Sequence, residues 1–154
     1  MKVSDAMTAE VQLCTPDDTL KDAALAMAAL GVGLLPVTEN DRLIGMISDR
    51  DIAIRGIGMG RGPEGRVGDV MTAEVRYCYD DQELDEVSAI MGDIQVRRLP
   101  VLNREKRLVG IIALGDIAMM QVATSAALSG ISRPGGQHVQ ILSKVFRPTR
   151  ASLN

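Results

Sequence analysis

Nine residues near the start of the chain, Val3-Ser-Asp-Ala-Met-Thr-Ala-Glu-Val11, return as Val67-Gly-Asp-Val-Met-Thr-Ala-Glu-Val75, an offset of 64 positions. The same offset sets Cys14 on Cys78, Leu20 on Leu84, Met27 on Met91 and Leu35-Pro36-Val37 on Leu99-Pro100-Val101. Beyond that point the offset becomes 65, so that Arg42-Leu-Ile-Gly45 meets Arg107-Leu-Val-Gly110 and Asp51-Ile-Ala53 meets Asp116-Ile-Ala118. The extra residue falls between Asn40-Asp41 and Asn103-Arg-Glu-Lys106, polar stretches that read as turns, where an insertion costs least. Two copies of about 60 residues are too few for a solenoid, in which every repeat needs stacking neighbours. The duplication instead predicts a pair of small domains packed face to face about a pseudo-twofold axis.

Each copy has the same local signals. Val11–Cys14 and Val75–Cys78 read as short strands. Asp18 or Thr19 can cap a helix running to Leu30, and Thr19-x-x-Asp22 has the form of a capping box. Its apolar side, Leu20, Ala23, Ala24, Met27 and Leu30, has helical spacing, as do Leu84, Val87, Ile90, Met91 and Ile94 in the second copy. A hairpin comes next, Leu34–Thr38 with Leu43–Ile47, and Leu99–Leu102 with Leu108–Ile112. A second helix begins near Asp49 or Leu114, and the later one runs from about Gly115 to Leu128. The fold class is α/β (α+β), two β-α-β-β-α domains over residues 1–56 and 67–128. A Gly-rich linker, 57–66, joins them, and a tail, 129–154, comes after the second helix, which Gly130 would stop.

Composition narrows the function. A net charge of −3 over 154 residues gives no broad basic surface, and aromatic residues make up only 2%. Neither suits nucleic acid, which asks for basic patches and stacking rings. The one histidine, His138, lies in the tail and reads as solvated. One histidine makes a His-rich metal site or a Ser-His-Asp triad a poor expectation. No phosphate-cradling glycine loop of the mononucleotide or dinucleotide type is present. The longest weakly polar run, Ala23 to Val37, is too short to span a bilayer and is broken by Gly31, Gly33 and Pro36. Cys14 and Cys78 cannot make a disulfide framework. As equivalent strand positions they read as small buried hydrophobes, with a redox pair across the pseudo-twofold axis as the other reading. A polar N-terminus without a signal-peptide core points to the cytoplasm.

The pattern resembles the CBS domain, named after cystathionine β-synthase, and the tandem pair resembles a Bateman module. The resemblance is carried by Val-x-Asp-x-Met-Thr at both starts, Leu-Pro-Val in both middle strands, and Gly45-Met-Ile-Ser-Asp-Arg-Asp51-Ile beside Gly110-Ile-Ile-Ala-Leu-Gly-Asp116-Ile. It covers about Met1 to Ala123 and is strongest to small stand-alone two-CBS proteins. It implies a non-catalytic regulatory module that takes an adenosine-containing ligand (AMP, ADP, ATP, NAD or S-adenosylmethionine) in the cleft between the copies. No cofactor is obligatory.

The resemblance also implies roles. After the third strand the family carries Gly-x-x-Ser/Thr-x-x-Asp, whose Asp accepts from both ribose hydroxyls; a carboxylate offers two acceptors to a cis-diol. The matching residues are Ser48 and Asp51 in the first copy. The second has Asp116 but Ala113 in place of the hydroxyl, which ranks the Asp51 site first. Ser48-x-x-Asp51 is equally a capping box that merely starts a helix; Asp116, lacking the hydroxyl partner, fits capping less well. Arg97 and Arg98, just before Leu99-Pro100, are placed to reach phosphates, at most one of them from a given face of the strand. Surface ion pairs are their plainer reading. Arg50 is a third candidate phosphate contact. Val11, Leu13, Met46 and Ile47 would line an adenine slot or belong to the core. The expected partners are a second copy of the chain, joined through Ala-rich helix faces, an adenosine-containing small molecule, and an effector protein that reads the bound state. Nucleic acid and membrane are not expected. The competing reading is a ligand-free module for protein–protein interaction.

Overall fold

The computed structural model describes residues 1–128; the tail readings, His138 included, lie outside them. The elements in chain order are α1 (Val3–Ala6), α2 (Leu20–Leu30), β1 (Leu34–Glu39), β2 (Arg42–Ser48), α3 (Asp49–Asp51), β3 (Cys78–Tyr79), α4 (Leu84–Ile94), β4 (Arg98–Leu102), β5 (Leu108–Ala113) and α5 (Leu114–Leu128). A π-helical turn, Ile52–Gly56, and a 3-10 turn, Ile57–Met59, prolong α3, and Gly60 at φ 82° ends the run. A second 3-10 turn, Val67–Asp69, opens the second copy.

The chain divides into two compact units that do not follow the repeat boundaries. Among the described residues, unit I comprises Val11–Val75 and Lys106–Leu108; unit II comprises Met1–Glu10, Arg76–Glu105 and the residues from Val109 to Leu128. Each repeat's leading segment therefore belongs with the other repeat's helices and strands. The pairing that causes this is explicit. In unit I, Thr72 and Met46 exchange backbone hydrogen bonds of 2.8 and 2.9 Å. In unit II, Thr8 and Ile111 do the same at 2.8 and 2.9 Å. Each Met-Thr leader thus pairs antiparallel with the third strand of the other copy.

In unit I, Thr19 Oγ1 accepts from the Asp22 N–H at 3.1 Å and starts α2. Gly31, at φ 65°, ends it in the left-handed conformation that favours glycine. The helix buries Leu20, Ala23, Ala26, Met27 and Leu30; Ala26, not the expected Ala24, completes the inner face. β1 and β2 form an antiparallel hairpin closed at Asn40 and Asp41, both at positive φ as a tight hairpin turn requires. The expected strand at Val11–Cys14 contracts to one parallel bridge, Cys14 to Val37. Pro36 has no N–H, and that is the donor that would have carried the ladder back to Gln12.

Unit II shows the same contraction. β3 is only Cys78–Tyr79, parallel to Val101–Leu102, because Pro100 likewise offers no donor toward Arg76. The strand expected at Val75–Cys78 is shifted accordingly. β4 pairs in turn with β5, giving a three-stranded sheet in the order β3-β4-β5. Its core joins Val3 of the leader to Cys78, Leu84, Val87, Met91, Leu99, Val101, Ile112 and Ile117. Ile90, expected on the inner face of α4, is 38% exposed. Gln95, at φ 57°, ends α4 where the first copy uses Gly31.

Candidate functional site

The two repeats place an aspartate at the same junction of strand and helix. In unit I, Ser48 Oγ accepts from the Asp51 N–H at 3.0 Å while Asp51 Oδ2 accepts from the Ser48 N–H at 3.0 Å. This is a complete capping box. In unit II, Asp116 Oδ2 accepts from the Ala113 N–H at 3.1 Å. The carboxylate therefore takes up its half of the box without the hydroxyl, and the expectation that Asp116 fits capping less well is corrected. One carboxylate oxygen suffices, because the donor is the backbone of the last strand residue.

The candidate site residues fall into two groups. Ser48, Arg50 and Asp51 belong to unit I; Arg97, Arg98 and Asp116 belong to unit II. Within unit I, Arg50 is exposed and its N–H donates to Asp49 Oδ1 at 2.8 Å. Within unit II, the Arg97 carbonyl accepts from the Leu114 N–H at 2.9 Å, which holds the arginine pair beside the start of α5 and so near Asp116. Arg97 is exposed, whereas Arg98 is half-buried with its Nε shut off from solvent. The matching position in unit I is Gly33, whose carbonyl accepts from the Asp49 N–H at 2.9 Å. A Cβ there would stand 2.9 Å from Asp49 Oδ2. The unit I edge is thus acidic where the unit II edge is basic. Of the expected adenine slot, Ile47 is core at 0% exposure, Met46 is buried, and Val11 and Leu13 are half-buried.

Three residues escaped the sequence reading. Arg55 Nη2 donates to Asp51 Oδ1 at 2.9 Å and to Thr72 Oγ1 at 2.6 Å, and Nη1 reaches the Met71 carbonyl at 3.5 Å. The Asp51–Arg55 pair has the i,i+4 spacing that a helix favours, a signal the sequence did contain. Thr72 had no such signal. Gln12, 2% exposed, keeps an amide Nε2 without a hydrogen-bond partner among the described residues.

Burial pushes the Cys14 thiol up to about 12, with Asp18 and Asp22 adding to it. Burial likewise pushes Cys78 up to about 12, helped by Asp80. A thiol held protonated is a poor nucleophile. The two are free and buried, one in each unit. No group of three His, Cys, Asp or Glu side chains among the described residues is arranged to hold a metal ion. No helix among them is long and apolar enough to cross a membrane.

The CBS domain family model matches residues 3–56 and 67–122. The chain belongs to the CBS domain family. This CBS pair is 37% identical over 137 residues to the CBS domain-containing protein YhcV of Bacillus subtilis (strain 168), covering 89% of this chain and 97% of that one. It is 38% identical over 116 residues to hypoxic response protein 1 of Mycobacterium tuberculosis (strain H37Rv), covering 74% and 80%. A crystal structure of Hypoxic Response Protein I with two coordinated zinc ions matches the CBS pair at a TM-score of 0.69 and 35% identity, over 78% of this chain and 98% of that one. A crystal structure of CBSX2 in complex with AMP matches at 0.72 and 25% identity, over 80% and 98%. The α+β CBS-pair fold that the resemblance implied is the fold observed.

Proposed function

We propose that this CBS pair is a non-catalytic sensor for an adenosine-containing ligand such as AMP, ADP, ATP, NAD or S-adenosylmethionine, with Asp51 and Asp116 as the ribose acceptors. The observation that carries the reading is the common pose of these two carboxylates. Each is half-buried at a helix start and anchored through Oδ2 by the backbone of the strand before it, even where Ala113 supplies no hydroxyl. Anchoring fixes the carboxylate for a cis-diol, whose two O–H groups donate to it. The AMP carried by CBSX2, at 25% identity, supports the ligand class. Arg97 and Arg98 beside Asp116, and Arg50 beside Asp51, are the phosphate contacts in this reading. The chain works in the cytoplasm as a homodimer, which would cover Leu25, Ile54, Ile57 and Met59, each more than half exposed. Ligand binding shifts the population of its conformers, and an effector protein reads the shift.

The acidic edge at Gly33 and Asp49, and the guanidinium already seated on Asp51, favour a second reading, a ligand-free interaction module. A thermal-shift series with AMP, ADP, ATP, NAD and S-adenosylmethionine on the intact protein, Asp51→Ala and Asp116→Ala separates the two. A ligand at about 100 times its Kd adds roughly 2.7 kcal/mol. A shift lost in either variant supports the sensor and names its carboxylate. No shift with any ligand overturns it in favour of the interaction module.

A further inference from the structure

Asp51 and Asp116 are matched in backbone pose but differ in the residue one helical turn further on. Four residues after Asp51 stands Arg55; four residues after Asp116 stands Met120, which cannot donate. Arg55 Nη2 holds Asp51 Oδ1 at 2.9 Å, and Asp51 Oδ2 is already engaged by the Ser48 N–H at 3.0 Å. Each carboxylate oxygen thus already accepts one hydrogen bond, and the guanidinium stands on the side that the Ser48 backbone leaves open. The same guanidinium continues to Thr72 Oγ1 and the Met71 carbonyl. These two residues belong to the leader of the second repeat, whose Thr72 backbone is paired with Met46. Asp51 is only 15% exposed, while Arg55 is 48% exposed.

We propose that Arg55 is a latch: it occupies the acceptor that a ribose diol needs, and a ligand that displaces it from Asp51 also releases its hold on Met71 and Thr72. The inference rests on the reading of Asp51 as a ribose acceptor and adds the gate and the route of relay. The chemistry is an exchange of like for like. A guanidinium N–H donor leaves Oδ1, a ribose O–H donor takes its place, and no charge is left buried without a donor. The released Arg55 loses its link to the leader strand, so occupancy at Asp51 is felt at Thr72 within the same unit. Met120, at the position matching Arg55, has no guanidinium with which to form this latch on Asp116.

The test is calorimetric titration of the intact protein with adenosine, which lacks a phosphate, beside Arg55→Met, Arg55→Lys and Thr72→Val, all in an Asp116→Asn background that leaves Asp51 as the acceptor. An exposed ion pair competes weakly, so Arg55→Met binds adenosine about two- to fivefold more tightly than its parent. Arg55→Lys, which keeps the charge without the fork, falls between them. Thr72→Val shows a smaller gain and covers the case in which Arg55→Met fails to fold. Amide exchange at Thr72 gives the second readout: adenosine raises it in the parent, while Arg55→Met starts high and does not respond. Adenosine binding by the parent with no gain in Arg55→Met or Thr72→Val overturns the latch and leaves the sensor reading standing. If neither parent nor variants bind adenosine or AMP, the nucleoside reading of Asp51 fails and the latch with it.

Discussion

A Cβ placed on Gly110 would stand 2.7 Å from the carbonyl oxygen of Thr8 and 2.8 Å from Met7 Sδ. The same closeness recurs at Gly45, where a Cβ would lie 2.6 Å from Met71 Sδ and 2.9 Å from the Thr72 carbonyl. The repeated Met-Thr and the repeated glycine are thus two halves of one contact, leader on strand. Gly110→Ala and Gly45→Ala each lower the unfolding free energy by about 1–3 kcal/mol. Gly110→Ala costs more, because its nearest obstacle is backbone whereas that of Gly45 is a thioether that can turn aside. Gly92→Ala, in open space on α4, raises stability by about 0.5–1 kcal/mol and serves as control. Urea denaturation measures all three.

The capping box at Ser48 and Asp51 makes its own contribution to stability. Ser48→Ala lowers it by about 1 kcal/mol. The double variant with Asp51→Ala loses less than the sum of the single losses, because each residue serves the other's N–H. Strict additivity in the denaturation curves would show that the two bonds are independent.

The buried thiols set an alkaline limit. Their folded pKa of about 12 lies above the ordinary 9.0, so the native state keeps protons that the unfolded chain releases. Their contribution is complete below pH 9 and is lost as pH climbs toward 12. The stability difference between the intact protein and Cys14→Ala/Cys78→Ala therefore stays level up to pH 9 and shrinks above it. At pH 8 a thiol reagent labels neither cysteine until the protein is unfolded; rapid labelling of the native protein would contradict the burial.

Arg97 and Arg98 separate by exposure. Arg97→Ala, at the exposed position, changes stability by no more than about 0.5 kcal/mol and, on the proposed reading of Arg97 as a phosphate contact, weakens AMP relative to adenosine. Arg98→Ala removes a half-buried side chain and costs about 1 kcal/mol through lost packing. Melting curves and paired titrations with AMP and adenosine distinguish them.

Local signals made most elements legible. Thr19, Gly31, the Asn40-Asp41 turn and the Ser48-x-x-Asp51 spacing each act within a few residues, and the structure places a cap or turn at every one. The short strands before Cys14 and Cys78 were overread, because the missing N–H of Pro36 and Pro100 acts on a neighbouring strand far away in the chain. The exchange of leaders was not legible at all. Both leaders carry the same Met-Thr-Ala-Glu, both receiving strands carry the same glycine, and no local rule says which leader meets which strand. The site divides in the same way. The aspartates follow from the resemblance to the CBS pattern Gly-x-x-Ser/Thr-x-x-Asp, Arg55 was within reach of the i,i+4 rule, and Thr72 came to Asp51 only through the exchange.

That exchange bears on what one repeat is worth by itself. The strand that receives each Met-Thr leader lies in the other half of the chain. A polypeptide carrying a single copy and keeping this pairing would have to lend its leader to a second molecule and take one in return. The present chain, written twice, supplies that second leader from within itself.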